Sequence, residues 1–91
     1  MAARRLVISG RVQGVGYRDW MAREAGRLGV SGWVRNRRDG TLEALVDGEP
    51  EAVEELLRQC RRGPRHAEVT GIVEDLADPW PDPDFRQLPT V

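Results

Sequence analysis

The chain of 91 residues contains no lysine, one cysteine and one histidine, and these shortages exclude several kinds of site. Without lysine, the chain cannot carry the nucleotide-binding pattern Gly-x-x-x-x-Gly-Lys-Ser/Thr, in which the lysine contacts the phosphates. The single cysteine, Cys60, excludes an internal disulfide and any cysteine-cluster metal site, and it fits a reducing compartment. A protein stabilised by disulfides or by cysteine-bound metal is therefore not expected.

Strong charge of one sign and long apolar runs are missing as well. The formal net charge of −1 argues against a nucleic-acid or membrane-surface binder, since such proteins normally carry a basic excess. No apolar run approaches the roughly 20 residues of a membrane span. Residues 1–5 lead directly into a predicted strand, which leaves no room for a signal peptide. With 40% hydrophobic residues, the sequence predicts a cytoplasmic globular protein with a single domain, residues 1–91.

The apolar periodicity predicts elements in the order βαββαβ. Strands are expected at 4–12, 31–37, 41–46 and 67–74, and helices at 18–28 and from about 50 to Gly63-Pro64. Each helix has one apolar stripe, so the pattern favours an α+β ferredoxin-like sandwich, a mostly antiparallel sheet with two helices on one face. On the second helix, Glu54 and Arg58 are spaced for an ion pair. A stiff Pro/Asp-rich connector, residues 78–84, leads to a short edge strand within 85–91.

Two glycines lie where the first strand gives way to the first helix. Gly14 and Gly16 allow a backbone with positive φ and a close approach to a ligand. Successive N–H groups beside the positive end of a helix form a concavity suited to an anion. Arg18 adds a planar fork of donors that matches phosphate oxygens. The segment therefore predicts a phosphate cradle.

Three segments resemble the acylphosphatase family. Residues 10–18, Gly-Arg-Val-Gln-Gly-Val-Gly-Tyr-Arg, resemble its signature Gly-x-Val-Gln-Gly-Val-x-Phe-Arg. Residues 32–43, Gly-Trp-Val-Arg-Asn-Arg-Arg-Asp-Gly-Thr-Leu-Glu, resemble the partner motif Gly-Trp-Val-x-Asn-x-x-Asp-Gly-x-Val-Glu. Residues 63–69 are similar to the family's Gly-Pro-x-x-Ala-x-Val. The motifs occur in the family's order and spacing.

The resemblance implies hydrolysis of small acyl phosphates to a carboxylate and inorganic phosphate, with Arg18 and Asn36 as the catalytic pair. It implies no metal and no organic cofactor, binding of phosphate or other small anions, a monomer, and neither nucleic acid nor membrane as partner. Tyr17 replaces the family's usual Phe, and its hydroxyl needs a partner if it is buried. The phosphate-binding residues that the resemblance implies are Gln13, Gly14, Val15, Gly16, Tyr17 and Arg18.

The residues themselves agree with this chemistry. A carboxylate is a good leaving group, so the site has only to hold the phosphoryl group and aim a water in line. Asn36 cannot act as a base, but its amide offers an acceptor and a donor that fix a water. Asp39 and Glu43 are alternative bases, disfavoured because a carboxylate repels a dianionic substrate. The lone His66 has no partner nearby in the sequence.

Two other functions are compatible with the predicted fold. Ferredoxin-like sheets also bind RNA or small regulatory ligands, and an RNA reader should present aromatics on its open sheet face. The first and fourth strands offer none. The same chemistry could also act on carbamoyl phosphate within a larger maturation system. Trp33 is assigned to the core or to the wall of the cradle rather than to a binding platform.

Overall fold

The computed structural model describes residues 3–91, and the predicted elements are all present in it. In chain order they are β1 (Ala3–Arg11), α1 (Tyr17–Leu28), β2 (Ser31–Asn36), β3 (Leu42–Asp47), α2 (Pro50–Arg62), β4 (Glu68–Ala77) and β5 (Phe85–Gln87). The expectation of no signal peptide concerns residues 1–5, of which residues 1 and 2 lie outside the described range. Neither helix within residues 3–91 is long and apolar enough to cross a membrane.

The strands form one mixed sheet in the order β4-β1-β3-β2-β5. β1 is antiparallel to β3 and β4, and β2 is antiparallel to β3. Each helix therefore joins two parallel strands that have a third strand between them, α1 from β1 to β2 and α2 from β3 to β4. This arrangement confirms the ferredoxin-like α+β sandwich. β5 adds the expected edge strand, which runs parallel to β2.

The hydrophobic core lies between the sheet and the two helices. α1 packs against β2 and β5, α2 packs against β4, and the helices contact each other. Because side chains alternate along a strand, one set of strand positions faces this layer. Burial of this apolar surface is the main favourable term in folding. The buried core residues are Leu6, Ile8, Val12, Tyr17, Met21, Ala25, Val30, Val34, Leu42, Ala44, Val46, Val53, Leu56, Leu57 and Cys60.

The Tyr17 side chain links the start of α1 to the end of α2. It is fully buried, and its hydroxyl donates a 2.6 Å hydrogen bond to the backbone carbonyl oxygen of Cys60. Burial raises the pKa of Tyr17 well above its usual value, so the hydroxyl keeps its proton. The ring also packs edge-on against Trp20, with 5.2 Å between centroids. The hydroxyl that the family's usual Phe lacks therefore has a partner.

Replacing Tyr17 with phenylalanine is expected to lower the free energy of unfolding by about 1 kcal/mol, because the buried Cys60 carbonyl loses its donor. The ring remains, so packing is preserved. Urea unfolding should show a lower midpoint with an unchanged m value. An unchanged midpoint would mean that this hydrogen bond makes no net contribution to stability.

The sheet face opposite the helices carries Trp33 and Arg35. Their neighbour Val34 is buried in the core, and the two-residue period of a strand directs Trp33 and Arg35 to the other side. The Arg35 guanidinium carbon lies 4.7 Å from the Trp33 ring centroid, a cation–π contact. The assignment of Trp33 to the core or the cradle wall is therefore wrong, because Val34 occupies the inward position.

Candidate active site

The loop between β1 and α1, residues 12–16, contains the two glycines of the predicted cradle. Gly14 has φ 73° and Gly16 has φ 77°, a left-handed conformation that side chains other than glycine rarely adopt. Gly16 is the N-cap of α1, and no side chain caps the helix there. The N–H groups of the first helical turn are thus left without a side-chain acceptor, at the positive end of the helix.

The Gln13 side chain anchors this loop to the β2–β3 hairpin. Its Nε2 donates hydrogen bonds to the backbone carbonyl oxygens of Arg37, at 2.7 Å, and Thr41, at 2.9 Å. Both amide hydrogens of Gln13 are used by these two bonds. Since the hairpin follows directly on Asn36, one side chain fixes the loop relative to the strand that carries Asn36.

A cavity of about 90 Å³ opens between the loop, the start of α1 and the end of β2. Arg18 and Asn36, predicted from separate motifs, both line it. Of the predicted loop residues, Gly14, Gly16 and Tyr17 contribute to the lining, with Val12 beside them. Gln13 and Val15 do not line the cavity: the Gln13 carboxamide is turned to the hairpin, and Val15 packs against the core.

The Asn36 side chain, which lines this cavity, carries an unpaired acceptor. Its Oδ1 is buried and has no hydrogen-bond partner among residues 3–91. The backbone around it is held on both sides: Asn36 pairs with Leu42 of β3, and its carbonyl oxygen accepts a hydrogen bond of 3.1 Å from the N–H of Val91. Because buried acceptors are nearly always satisfied, this one points to a water or a bound ligand.

Arg18 supplies the positive charge of the cavity. None of the ion pairs formed within residues 3–91 involves its guanidinium. Its donors are therefore free to bind an anion rather than being occupied by a protein carboxylate. The arrangement combines a fixed cation, left-handed glycine backbone and an unpaired amide oxygen, and it suits a small tetrahedral anion with a water beside it.

The alternative bases lie away from this cavity. Asp39 is exposed in the hairpin, where hydrogen bonds from the hydroxyl and the N–H of Thr41 lower its pKa. Glu43 lies on the open sheet face between Arg5, at 2.6 Å, and Arg35, at 2.8 Å. Burial raises the pKa of Glu43, but hydrogen bonds from the two arginines outweigh it and hold the pKa below its usual value. His66 is an exposed loop residue.

Two side chains that the sequence did not suggest also line the cavity, Asp19 and Gln87. Gln87 comes from β5 and donates a 2.7 Å hydrogen bond through Nε2 to Oδ1 of Asp19 in α1. For Asp19, its position next to Arg18 is the only signal in the sequence that it belongs to the site. For Gln87 the sequence contains no such signal. Within residues 3–91, no three His, Cys, Asp or Glu side chains are grouped so that they could hold a metal ion.

Comparison with known proteins decides the family. The sequence profile described as Acylphosphatase matches residues 4–87. The acylphosphatase of Acidiphilium cryptum (strain JF-5) is 65% identical over 90 residues, which cover 99% of this chain and 99% of that protein. The chain belongs to the acylphosphatase family. As a member, it is an enzyme that hydrolyses acyl phosphates.

Solved structures share the fold. The crystal structure of acylphosphatase from Bacillus subtilis matches with a TM-score of 0.90 at 31% identity, over 97% of this chain and 99% of that one. Full-length HypF, in a phosphate- and nucleotide-bound form, matches with a TM-score of 0.88 at 27% identity. That match covers 98% of this chain but 12% of HypF. The acylphosphatase fold thus occurs both in chains of this length and within a much longer protein.

Proposed function

We propose that the cavity beside Arg18 and Asn36 hydrolyses the carboxyl–phosphate bond through direct attack of water on phosphorus. Backbone N–H groups of residues 13–18 and the Arg18 guanidinium hold the phosphoryl group. Asn36 orients the water opposite the leaving carboxylate. The observation that carries the proposal is that Arg18 and Asn36, from separate elements, line one cavity of about 90 Å³.

The leaving group of this reaction departs without being protonated. The departing carboxylate is a weak base, with a pKa of about 4 in model compounds, so no general acid is required. The site has to neutralise charge on the equatorial phosphoryl oxygens and keep the attacking and leaving oxygens in line. The water oxygen bonds to phosphorus as the bond from phosphorus to the acyl oxygen breaks. The products are a carboxylate and inorganic phosphate, and the proton of the water is released.

The role of Asn36 follows from its amide group. A neutral amide does not repel a phosphoryl dianion, unlike the carboxylates of Asp39 and Glu43. The buried and unpaired Oδ1 can accept a hydrogen bond from water, while Nδ2 can donate to an oxygen of the water or the phosphoryl group. Positioning of this kind is enough when the electrophile is already activated.

An isotope experiment with benzoyl phosphate tests the proposal. In water enriched in heavy oxygen, with a metal chelator present, attack on phosphorus places the label in inorganic phosphate and leaves benzoate unlabelled. Label in benzoate would show attack on the carbonyl carbon and would overturn the proposed reaction. Loss of turnover in the chelator, restored by an added divalent cation, would overturn the proposal that Arg18 and the loop act without metal.

Replacing Gln13 with leucine is expected to lower kcat/KM for benzoyl phosphate by about tenfold or more, because the loop loses its anchor to the hairpin beside Asn36. Both hydrogen bonds that fix the loop to this hairpin disappear, while the chain keeps a side chain of similar size. Gln59→Leu is the control: Gln59 makes one hydrogen bond on the far helix, to Glu55, and should leave kcat/KM unchanged. Equal rates for the two variants would contradict the anchoring role.

We further propose that the enzyme acts as a cytoplasmic monomer and that inorganic phosphate competes with substrate for the cradle. One buried, unpaired cysteine suits a reducing compartment. The sheet gives the RNA-binding alternative little support: its open face offers Trp33 of β2, whereas β1 and β3 contain no aromatic residue. Sedimentation at assay concentrations tests the oligomeric state, and inhibition by added phosphate tests the shared site.

A further inference from the structure

The rim of the cavity is formed by its exposed lining residues. Gly14, Gly16, Asp19 and Gln87 are exposed, whereas Val12 and Tyr17 are buried and form the floor. The two glycines have no side chains. A ligand that projects from the cavity into solvent can therefore meet two rim side chains, those of Asp19 and Gln87.

The two rim side chains hold each other in place. Asp19 lies in the first turn of α1 and Gln87 at the end of β5, and the Gln87 Nε2 donates to Oδ1 of Asp19 at 2.7 Å. The hydrogen bond joins two residues that are 68 positions apart in sequence. It fixes a carboxylate at the mouth of the cavity. Among the residues that line this cavity, Arg18 is the only cation.

The size of the cavity makes this carboxylate a neighbour of the acyl group. About 90 Å³ is small beside the several hundred Å³ typical of pockets that enclose a whole organic ligand. A phosphoryl group fits inside, and the organic part of an acyl phosphate must extend past the rim. Every acyl phosphate carries the same phosphoryl charge, so repulsion between that group and Asp19 does not distinguish substrates. Charge on the acyl group, by contrast, differs between substrates and can distinguish them.

We infer that Asp19, positioned by Gln87, selects against acyl phosphates whose acyl group carries a negative charge. The inference rests on the proposed reaction and deepens it by assigning a substrate class: neutral or cationic acyl groups. Asp19 acts on the substrate by charge, while Gln87 is a positioning residue that keeps the carboxylate at the rim. Since both side chains are exposed, the selection is moderate and is weakened by salt.

Two acyl phosphates of nearly the same shape test the inference, benzoyl phosphate and para-carboxybenzoyl phosphate. The measured quantity is the ratio of their kcat/KM values, and comparing variants with wild type cancels their different intrinsic reactivities. Asp19→Asn is expected to shift this ratio by about fivefold towards para-carboxybenzoyl phosphate, the size expected for one exposed charge pair. High salt should shrink the wild-type preference and leave Asp19→Asn unaffected.

Glu51→Gln is the matched control. Glu51 is an exposed carboxylate in the first turn of α2, away from the cavity, so the variant changes net charge equally without touching the rim. Gln87→Met should move the ratio in the same direction as Asp19→Asn but less. In this variant the Asp19 carboxylate remains, but it loses the hydrogen bond that holds it at the rim. A structural role alone would alter kcat/KM for both acyl phosphates equally and leave the ratio fixed.

The outcomes separate the inference from the reaction on which it depends. If both acyl phosphates are hydrolysed and Asp19→Asn has the wild-type ratio, Asp19 does not select substrates and the inference is wrong. If Glu51→Gln shifts the ratio as much as Asp19→Asn, the effect belongs to net charge and the inference is again wrong. If neither acyl phosphate is hydrolysed, the proposed function itself fails.

Discussion

Alanine in place of Arg18 is expected to lower kcat for benzoyl phosphate by about a thousandfold or more, because the site loses the cation that we propose neutralises the phosphoryl oxygens. Arg18 lines the cavity, and its guanidinium forms no ion pair within residues 3–91. The inhibition constant of inorganic phosphate should rise as well, since in the proposed mechanism the same guanidinium binds the product. Steady-state rates and phosphate inhibition measure the two effects.

Lysine at position 18 tests the geometry of the cation apart from its charge. It keeps one positive charge but lacks the planar fork that binds two oxygens at once, so we expect it to recover at most about tenfold of the lost rate. Full recovery with lysine would mean that the site requires only a point charge, and that bidentate binding is not part of the mechanism.

Arg23→Ala is the matched control for Arg18→Ala. Arg23 lies on the same helix, is exposed and does not line the cavity, so its removal changes net charge and helix composition in the same way. We expect its kcat to stay within about twofold of wild type. If Arg18→Ala retained as much activity as Arg23→Ala, the assignment of the phosphoryl-binding cation would be wrong.

Arg18 and Asn36 could be predicted from the sequence because each belongs to a local motif and the topology unites the two motifs. β1 and β2 are parallel with β3 between them, so the loop after Arg11 and the last residue of β2, Asn36, lie at the same edge of the sheet. The order βαββαβ fixes this relation as soon as the elements are recognised. No side-chain detail was needed for that step.

Asp19 and Gln87 illustrate what local patterns do not contain. Their hydrogen bond joins residues 68 positions apart, and β5, which carries Gln87, has three residues. The proline-rich segment before β5 does not by itself determine the direction in which the chain returns to the sheet. That β5 runs parallel to β2 and brings Gln87 to the start of α1 is decided by tertiary packing.

Tertiary contacts also determine ion pairs and strand ends that residue spacing does not predict correctly. The predicted pair of Glu54 and Arg58 is wrong: Arg58 binds Glu55, and Glu54 binds Arg4 of β1 at 2.8 Å. An arginine on a helix can reach acidic residues three or four positions earlier, so spacing alone does not choose between them. β4 likewise continues beyond Glu74 to Ala77, because Asp75, Leu76 and Ala77 pair with the first residues of β1.

Alanine in place of Asn36 is expected to affect kcat far more than KM. In the proposed mechanism the amide acts on the attacking water, so kcat for benzoyl phosphate should fall about a hundredfold or more while KM changes less than about threefold. Phosphate inhibition should remain near the wild-type value, in contrast to Arg18→Ala. Ser31→Ala, at the other end of β2 and away from the cavity, controls for general disturbance of the strand.

Asn36→Asp separates the geometry of the amide from its charge. The variant keeps the size and one acceptor oxygen at the buried Oδ1 position, but its carboxylate repels the phosphoryl dianion. We therefore expect KM and the phosphate inhibition constant to rise in addition to the loss of kcat. If Asn36→Ala hydrolysed benzoyl phosphate as fast as wild type, water would be oriented by another group. If it instead raised KM alone, Asn36 would bind the phosphoryl group and not the water.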